Sequence, residues 1–191
     1  VEFGYEIDIY NSNNLKKNEL ENMALALDKK IDGLIISPIN SSTAATLLEI
    51  AKINNIPVVI ADIGSNSKDY VSFISSDNKK GAYELGKILA KHMKNLSWNK
   101  EGTVGIISIP QKRTNGKDRT LGFIQALDEE SIKVSGFYQQ VDFSYEETYN
   151  YSKKLIEENK NLRAIWLQGS DKYKGALDAI KEANKQKEIA L

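Results

Sequence analysis

The stretch Ile56-Pro-Val-Val-Ile-Ala-Asp-Ile-Gly64, IPVVIADIG, decides the fold. Val58 to Ala61 follow one another without polar alternation. A strand with one wet face would alternate. An unbroken apolar run suits a strand covered on both faces, as in a parallel sheet flanked by helices. The run ends in a carboxylate, Asp62, and Gly64 follows two residues later. In a parallel α/β sheet the ligand crevice lies beyond the carboxyl ends of the strands. An aspartate there faces solvent or ligand, and a glycine behind it lets the backbone turn away.

The same unit recurs outward from this point. Strand-like runs occupy Tyr5–Tyr10, Gly33–Ser37, Pro57–Asp62, Val71–Ser75, Thr103–Ser108, Val134–Tyr138 and Ala164–Leu167. Helical stripes lie between most of them: Leu20, Met23, Leu27 and Ile31; Ala44, Leu47, Leu48 and Ala51; Ala82, Leu85, Leu89 and Met93; Tyr173, Ala176, Leu177 and Ile180. Good N-cap residues precede three of these stripes, at Ser41-Ser42-Thr43, at Asp77 and at Ser170 or Asp171. Strand–helix alternation predicts an α/β protein built of doubly wound parallel sheets, Rossmann-like in organisation.

Two features divide the chain. The run Val71–Ser75 follows Pro57–Asp62 with no helical stripe between them, and the polar stretch Asn95–Gly102 precedes a fresh series of units. The predicted lobes are residues 1–76 and 77–191. The chain opens directly on a strand-like run, and Lys187–Leu191 reads as the start of a new strand, so both lobes are expected to be partial.

Composition narrows the function. Lys plus Arg and Asp plus Glu both number 26, giving zero net charge. A broad nucleic-acid footprint needs a basic surplus, so no nucleic-acid partner is expected for this segment. There is no cysteine, which excludes disulfides, thiolate metal sites and a cysteine nucleophile. His92 is the only histidine, too little for a catalytic triad or a histidine metal cluster. Asn115-Gly-Lys-Asp118 fails the phosphate-loop pattern, with Gln at 111 and Asp at 118. Asp142, Glu146 and Glu147 gather near one helix start, where the helix dipole favours acids. No enzyme, cofactor or metal is expected.

The strand ends carry the positive signal. Ser37, Ser75-Ser76 and Ser108 close strand-like runs, while Asp142-Phe143 and Gln168-Gly-Ser-Asp171 follow them. Their recurrence at the same end of successive units, in both lobes, predicts a polar ligand pocket between the lobes.

At these residues the chain resembles the type I periplasmic binding proteins, especially the ribose-binding-like sugar receptors. The matching stretches are DGLIISPINSS (32–42), NNIPVVIAD (54–62), VSFISSDNKKGAYELGKILAKHM (71–93), KDRTLGFIQAL (117–127), VDFSYEE (141–147) and AIWLQGSDKYKGALDAIKEAN (164–184), in family order. Against that family the first strand and helix and the last part of the second lobe are missing. The resemblance implies two lobes that clamp a small polar ligand, most readily a monosaccharide, by closing on it. It places ligand contacts at Ser37, at Asp62 and at Ile63, where the family usually has arginine. Further contacts fall at Lys117, which stands for a family arginine, at the stacking aromatic Phe143, and at Gly169 and Ser170, or Asp171 if the loop shifts by one. It implies an extracytoplasmic location and, as partner, the membrane permease of an ABC transporter or a sensor histidine kinase. The same fold serves as the effector domain of lactose-repressor-like regulators. Those usually carry a Gly-His pair before the strand at 103–108; NLSWNKEGT stands there instead, which favours the receptor. Arg119 is expected to be internal to its lobe, Arg113 and Gln111 to be solvated, and Trp166 to pack in the core.

Overall fold

The computed structural model describes residues 3–169 and 173–191, which fall into two compact units, Val1–Ser76 and Asp77–Leu191. Each is an α/β unit around a parallel sheet, as the strand–helix alternation predicts.

The first unit runs α1 (Lys16–Asp28), β1 (Leu34–Ile36), α2 (Ser41–Ile53), β2 (Val58–Ala61) and β3 (Ser72–Ile74), in sheet order β1-β2-β3. Ile36 pairs with Ile60 and Ile60 with Phe73. Met23 of α1 and Leu47, Leu48 and Ala51 of α2 pack on Val58 and Ile60. The two helices thus share one face of the sheet. On the other face Ile35 is 77% exposed and Ile74 is also exposed. Helix α2 starts one residue earlier than the serine run suggests. Asn40 is its N-cap, accepting from the N–H groups of Ser42 and Thr43 at 3.0 Å, with Thr43 completing a capping box.

Residues 5–10 differ from expectation. They form no strand, and Ile9 is 90% exposed. An alternating apolar set becomes a strand only where an edge takes its hydrogen bonds and a face covers its side chains. A cavity of about 1420 Å³ separates this segment from β1, which pairs with β2 alone.

The second unit runs α3 (Asn78–Asn95), β4 (Thr103–Ser108), α4 (Thr114–Asp128), β5 (Lys133–Gln139), α5 (Tyr145–Glu158), β6 (Leu162–Leu167) and α6 (Tyr173–Glu182), with sheet order β5-β4-β6. Here helices cover both faces. Met93 of α3 and Phe123 and Leu127 of α4 pack on Val104 and Ile106, while Leu155 of α5 and Ile180 of α6 pack on Ile107 and Ile165. The unbroken apolar run of β4 has this cause: both of its faces are dry. Ala190 joins Ala164 in a single parallel bridge beside β6.

The buried stripe of α3 is Ala82, Gly86, Ala90 and Met93, and Leu85, expected in the core, is 44% exposed. Close approach of α3 and α4 is the reason. A Cβ on Gly86 would lie 2.7 Å from Ala126 Cβ, and one on Gly122 would lie 2.0 Å from the Lys79 carbonyl oxygen. Only small residues fit such a contact. Trp166 stacks on Phe123 with centroids 3.8 Å apart, a core role as expected. Arg119 is internal to its unit, its Nε donating to Asn78 Oδ1 at 2.8 Å and its Nη1 to the Gln168 carbonyl at 3.1 Å.

Several helices close on left-handed residues other than glycine. Lys30, Asn55 and Ser97 directly follow the C-caps of α1, α2 and α3, with φ of 56°, 57° and 58°. Glycine is the residue that fits this position without cost.

Candidate ligand-binding site

In the first unit the expected residues sit past adjacent strands. Ser37 follows β1 and is exposed. Behind it, Glu19 of α1 is only 8% exposed and accepts the N–H of Ile39 at 2.8 Å, which ties down the loop after Ser37. Asp62 follows β2. Its N–H still donates to Ile74 at 2.9 Å, so the ladder with β3 reaches it, while its side chain is exposed. The next N–H, of Ile63, turns back to the Ala61 carbonyl at 2.9 Å, and Asp62 has φ of 67°. This is the positive-φ form of the γ-turn, which is rare and strained. The turn was expected at Gly64, but Asp62 itself adopts the left-handed conformation. Ile63, beyond the turn, is 5% exposed.

In the second unit the expected residues lie in the segments that follow the carboxyl ends of β4, β5 and β6. Gln168, just past β6, is buried and serves the scaffold. Its Oε1 accepts from the Ile109 N–H at 3.2 Å, and its Nε2 donates to Thr120 Oγ1 at 2.5 Å and to the Gly116 carbonyl at 3.3 Å. Gly169 is half-buried in the bend that follows; Ser170 and Asp171, with the helix start expected there, lie outside the described residues. Lys117 is exposed on the first turns of α4, its N–H bonded to the carbonyl of Arg113 at 3.0 Å. Phe143 is half-buried in the loop between β5 and α5, with φ of 57°.

Two residues there were not singled out as site residues. Arg113, the N-cap position of α4, holds its guanidinium carbon 5.4 Å from the centroid of Phe143, a cation–π arrangement. Glu147 accepts the N–H groups of Val141, Asp142 and Phe143 at 2.6, 3.1 and 2.9 Å. Burial pushes the neighbouring Tyr151 phenol up, and the Glu147 carboxylate adds to the effect. A sequence signal for Glu147 existed, since Ser144-Tyr-Glu-Glu147 has the spacing of a capping box. Nothing in the sequence announces the Arg113–Phe143 contact. Asp62 and Phe143 thus share one property: each presents its side chain from left-handed backbone just past a strand.

Among the described residues no group of three His, Cys, Asp or Glu could hold a metal ion, and no helix is long and apolar enough to cross a membrane.

Parallel sheets with polar and aromatic residues at their carboxyl ends have the construction with which α/β proteins hold small ligands. The chain belongs to the periplasmic binding protein domain family, whose profile matches residues 1–191. It is similar to the ribose import binding protein of Haemophilus influenzae, 29% identical over 187 residues, covering 97% of this chain and 61% of that protein. It is also similar to the transcriptional repressor PurR of Edwardsiella ictaluri, 26% identical over 181 residues, covering 94% of this chain and 50% of the repressor. The chain therefore spans about half to three fifths of the length of these relatives. Among solved structures, the fructose-binding periplasmic domain of a hybrid two-component system shares the fold. Its TM-score is 0.83 at 21% identity, covering 97% of this chain and 60% of that one.

Proposed function

We propose that the chain is the greater part of an extracytoplasmic solute receptor that binds a monosaccharide and passes its ligand state to a membrane partner. Ser37 and Asp62 of the first unit exchange hydrogen bonds with sugar hydroxyls. Lys117 and the backbone at Gly169 and Ser170 do the same from the second unit, and Phe143 lies against the apolar C–H face of the ring. Ile63, where relatives usually carry arginine, is buried and offers the ligand no hydrogen-bond donor. Contacts from each unit stabilise the closed arrangement, which is the signal. The partner is the permease of an ABC transporter or a sensor histidine kinase. No step requires catalysis or a cofactor.

The observation that carries this reading is Asp62, an exposed carboxylate held on a strained turn at the end of a parallel strand. Strain of this kind persists where the surrounding structure enforces it, and it gathers at ligand sites. The test is a thermal-shift screen of the full-length protein against aldoses, ketoses, polyols, amino acids and small acids. Ligand binding to the folded state alone adds about 2.7 kcal/mol at a hundredfold excess over Kd. A shift with one sugar is the expected result, and none with any sugar overturns the reading. A second reading, the effector domain of a transcription regulator, draws on the similarity to PurR. Sequence-specific binding of duplex DNA by the full-length protein, with no shift for any sugar, would establish it.

A further inference from the structure

Residues 141–143 belong to no helix or strand, yet one side chain holds three of their backbone groups in succession. Oε1 of Glu147 takes the N–H of Val141, and Oε2 takes those of Asp142 and Phe143. Glu147 is the third residue of α5, and the hydroxyl of the N-cap Ser144 accepts its N–H at 3.0 Å. In an ordinary capping box the glutamate at this position returns to the N–H of the N-cap residue. Here the carboxylate reaches past Ser144 and binds the three amides before it. Hydrogen bonds to an ionised acceptor are the stronger kind.

The loop needs such a hold. Phe143 has φ of 57°, a conformation in which a bulky residue is a genuine outlier. Phenylalanine has no polar side-chain atom with which to stabilise that conformation locally. The Glu147 carboxylate fixes the backbone from one side, and the Arg113 guanidinium stands over the ring. The helix dipole accounts for an acid at a helix start, but it favours Glu146 as much as Glu147. Glu146 is exposed and makes none of the three bonds.

We infer that Glu147 is a positioning residue for ligand binding, clamping residues 141–143 so that the ring of Phe143 is presented to the apolar face of the sugar. This rests on the proposed role of Phe143 as a ligand contact.

The experiment is calorimetric titration of the full-length protein with D-ribose, D-fructose, D-xylose, L-arabinose, D-galactose and D-glucose. The tightest binder is then titrated into E147Q, E146Q, F143A and the F143A/E147Q double variant. E147Q is expected to weaken binding at least tenfold, and E146Q less than twofold. In the F143A background the additional effect of E147Q should shrink below twofold, because the clamp then has no ring to place. A purely structural role would weaken binding equally with and without Phe143, and that additive result overturns the inference. So does normal affinity in E147Q when F143A is weak. Normal affinity in F143A overturns the role of Phe143 itself, and failure of all six sugars overturns the sugar reading on which both depend. Should E147Q not fold, E147D keeps the charge at the helix start but is one methylene too short to reach all three amides. The same coupling to F143A is then expected.

Discussion

The side-chain amide of Gln168 donates to Thr120 Oγ1 at 2.5 Å, joining the end of β6 to the second turn of α4. The same side chain accepts from Ile109 past β4, so one glutamine ties two strand ends and a helix together. Gln168→Leu removes these bonds while filling similar space. It leaves the Ile109 N–H buried without its partner, and an unsatisfied buried group costs about 1–3 kcal/mol. The expected loss is roughly 2–4 kcal/mol with the Ile109 and Thr120 bonds counted together. Urea unfolding measures it, and an unchanged midpoint would show that water replaces the bonds.

Gly122 and Gly81 give opposite predictions for one chemical change. A Cβ on Gly122 meets the Lys79 carbonyl at 2.0 Å, whereas one on Gly81 meets nothing within 4 Å. Gly122→Ala therefore forces α3 and α4 apart and should cost about 1–3 kcal/mol. Gly81→Ala lies on exposed helix and should stabilise by roughly 0.5–1 kcal/mol through helix propensity. Melting temperatures moving in the same direction for both would contradict the packing described.

Asp62 separates stability from binding. Its φ of 67° suits glycine better than aspartate. Asp62→Gly should hold or raise the unfolding midpoint while sugar binding is lost; Asp62→Ala should lose binding and some stability as well. Retained affinity in Asp62→Gly would remove the carboxylate from the site.

Glu130 makes stability fall in acid. It accepts from Lys87 Nζ at 2.6 Å and also pairs with Lys94. The hydrogen bond from Lys87, then that from Lys94, hold its carboxyl down at about 2 against an ordinary 4.5. A carboxyl whose pKa is lowered by folding contributes stability above its unfolded pKa and loses it as pH falls through the folded value. Glu130→Gln should thus melt below the parent protein at pH 6, and the gap should close between about pH 4.5 and 2. A gap constant across that range would show that packing, not charge, is responsible.

The sequence revealed strands wherever apolar runs were long and paired. The run at 103–108 and the stripe at 44–51 became β4 and the buried face of α2. Residues 5–10 carry an equally clear alternation, but a strand is made by its neighbours and these residues have no ladder. In α3 the apolar period pointed to Leu85, while the close approach of α4 selected Gly86 and Ala90. Distances between helices are not written in the spacing of either one. The same holds at the site. The placement of Asp62 and Phe143 beyond strands was legible from the apolar runs that precede them. The γ-turn under Asp62 and the guanidinium over Phe143 depend on backbone angles and on residues distant in sequence.

Lys30, Asn55 and Ser97 end their helices in a conformation that costs a residue with a side chain up to about 1–2 kcal/mol and glycine almost nothing. Asn55 bears the least of this, since asparagine tolerates the left-handed region. These positions are surface helix ends, separate from the loops that carry Asp62 and Phe143. The scaffold therefore holds thermal tolerance in reserve at helix ends outside those two loops. An engineer could harden it there, one helix end at a time and close to additively.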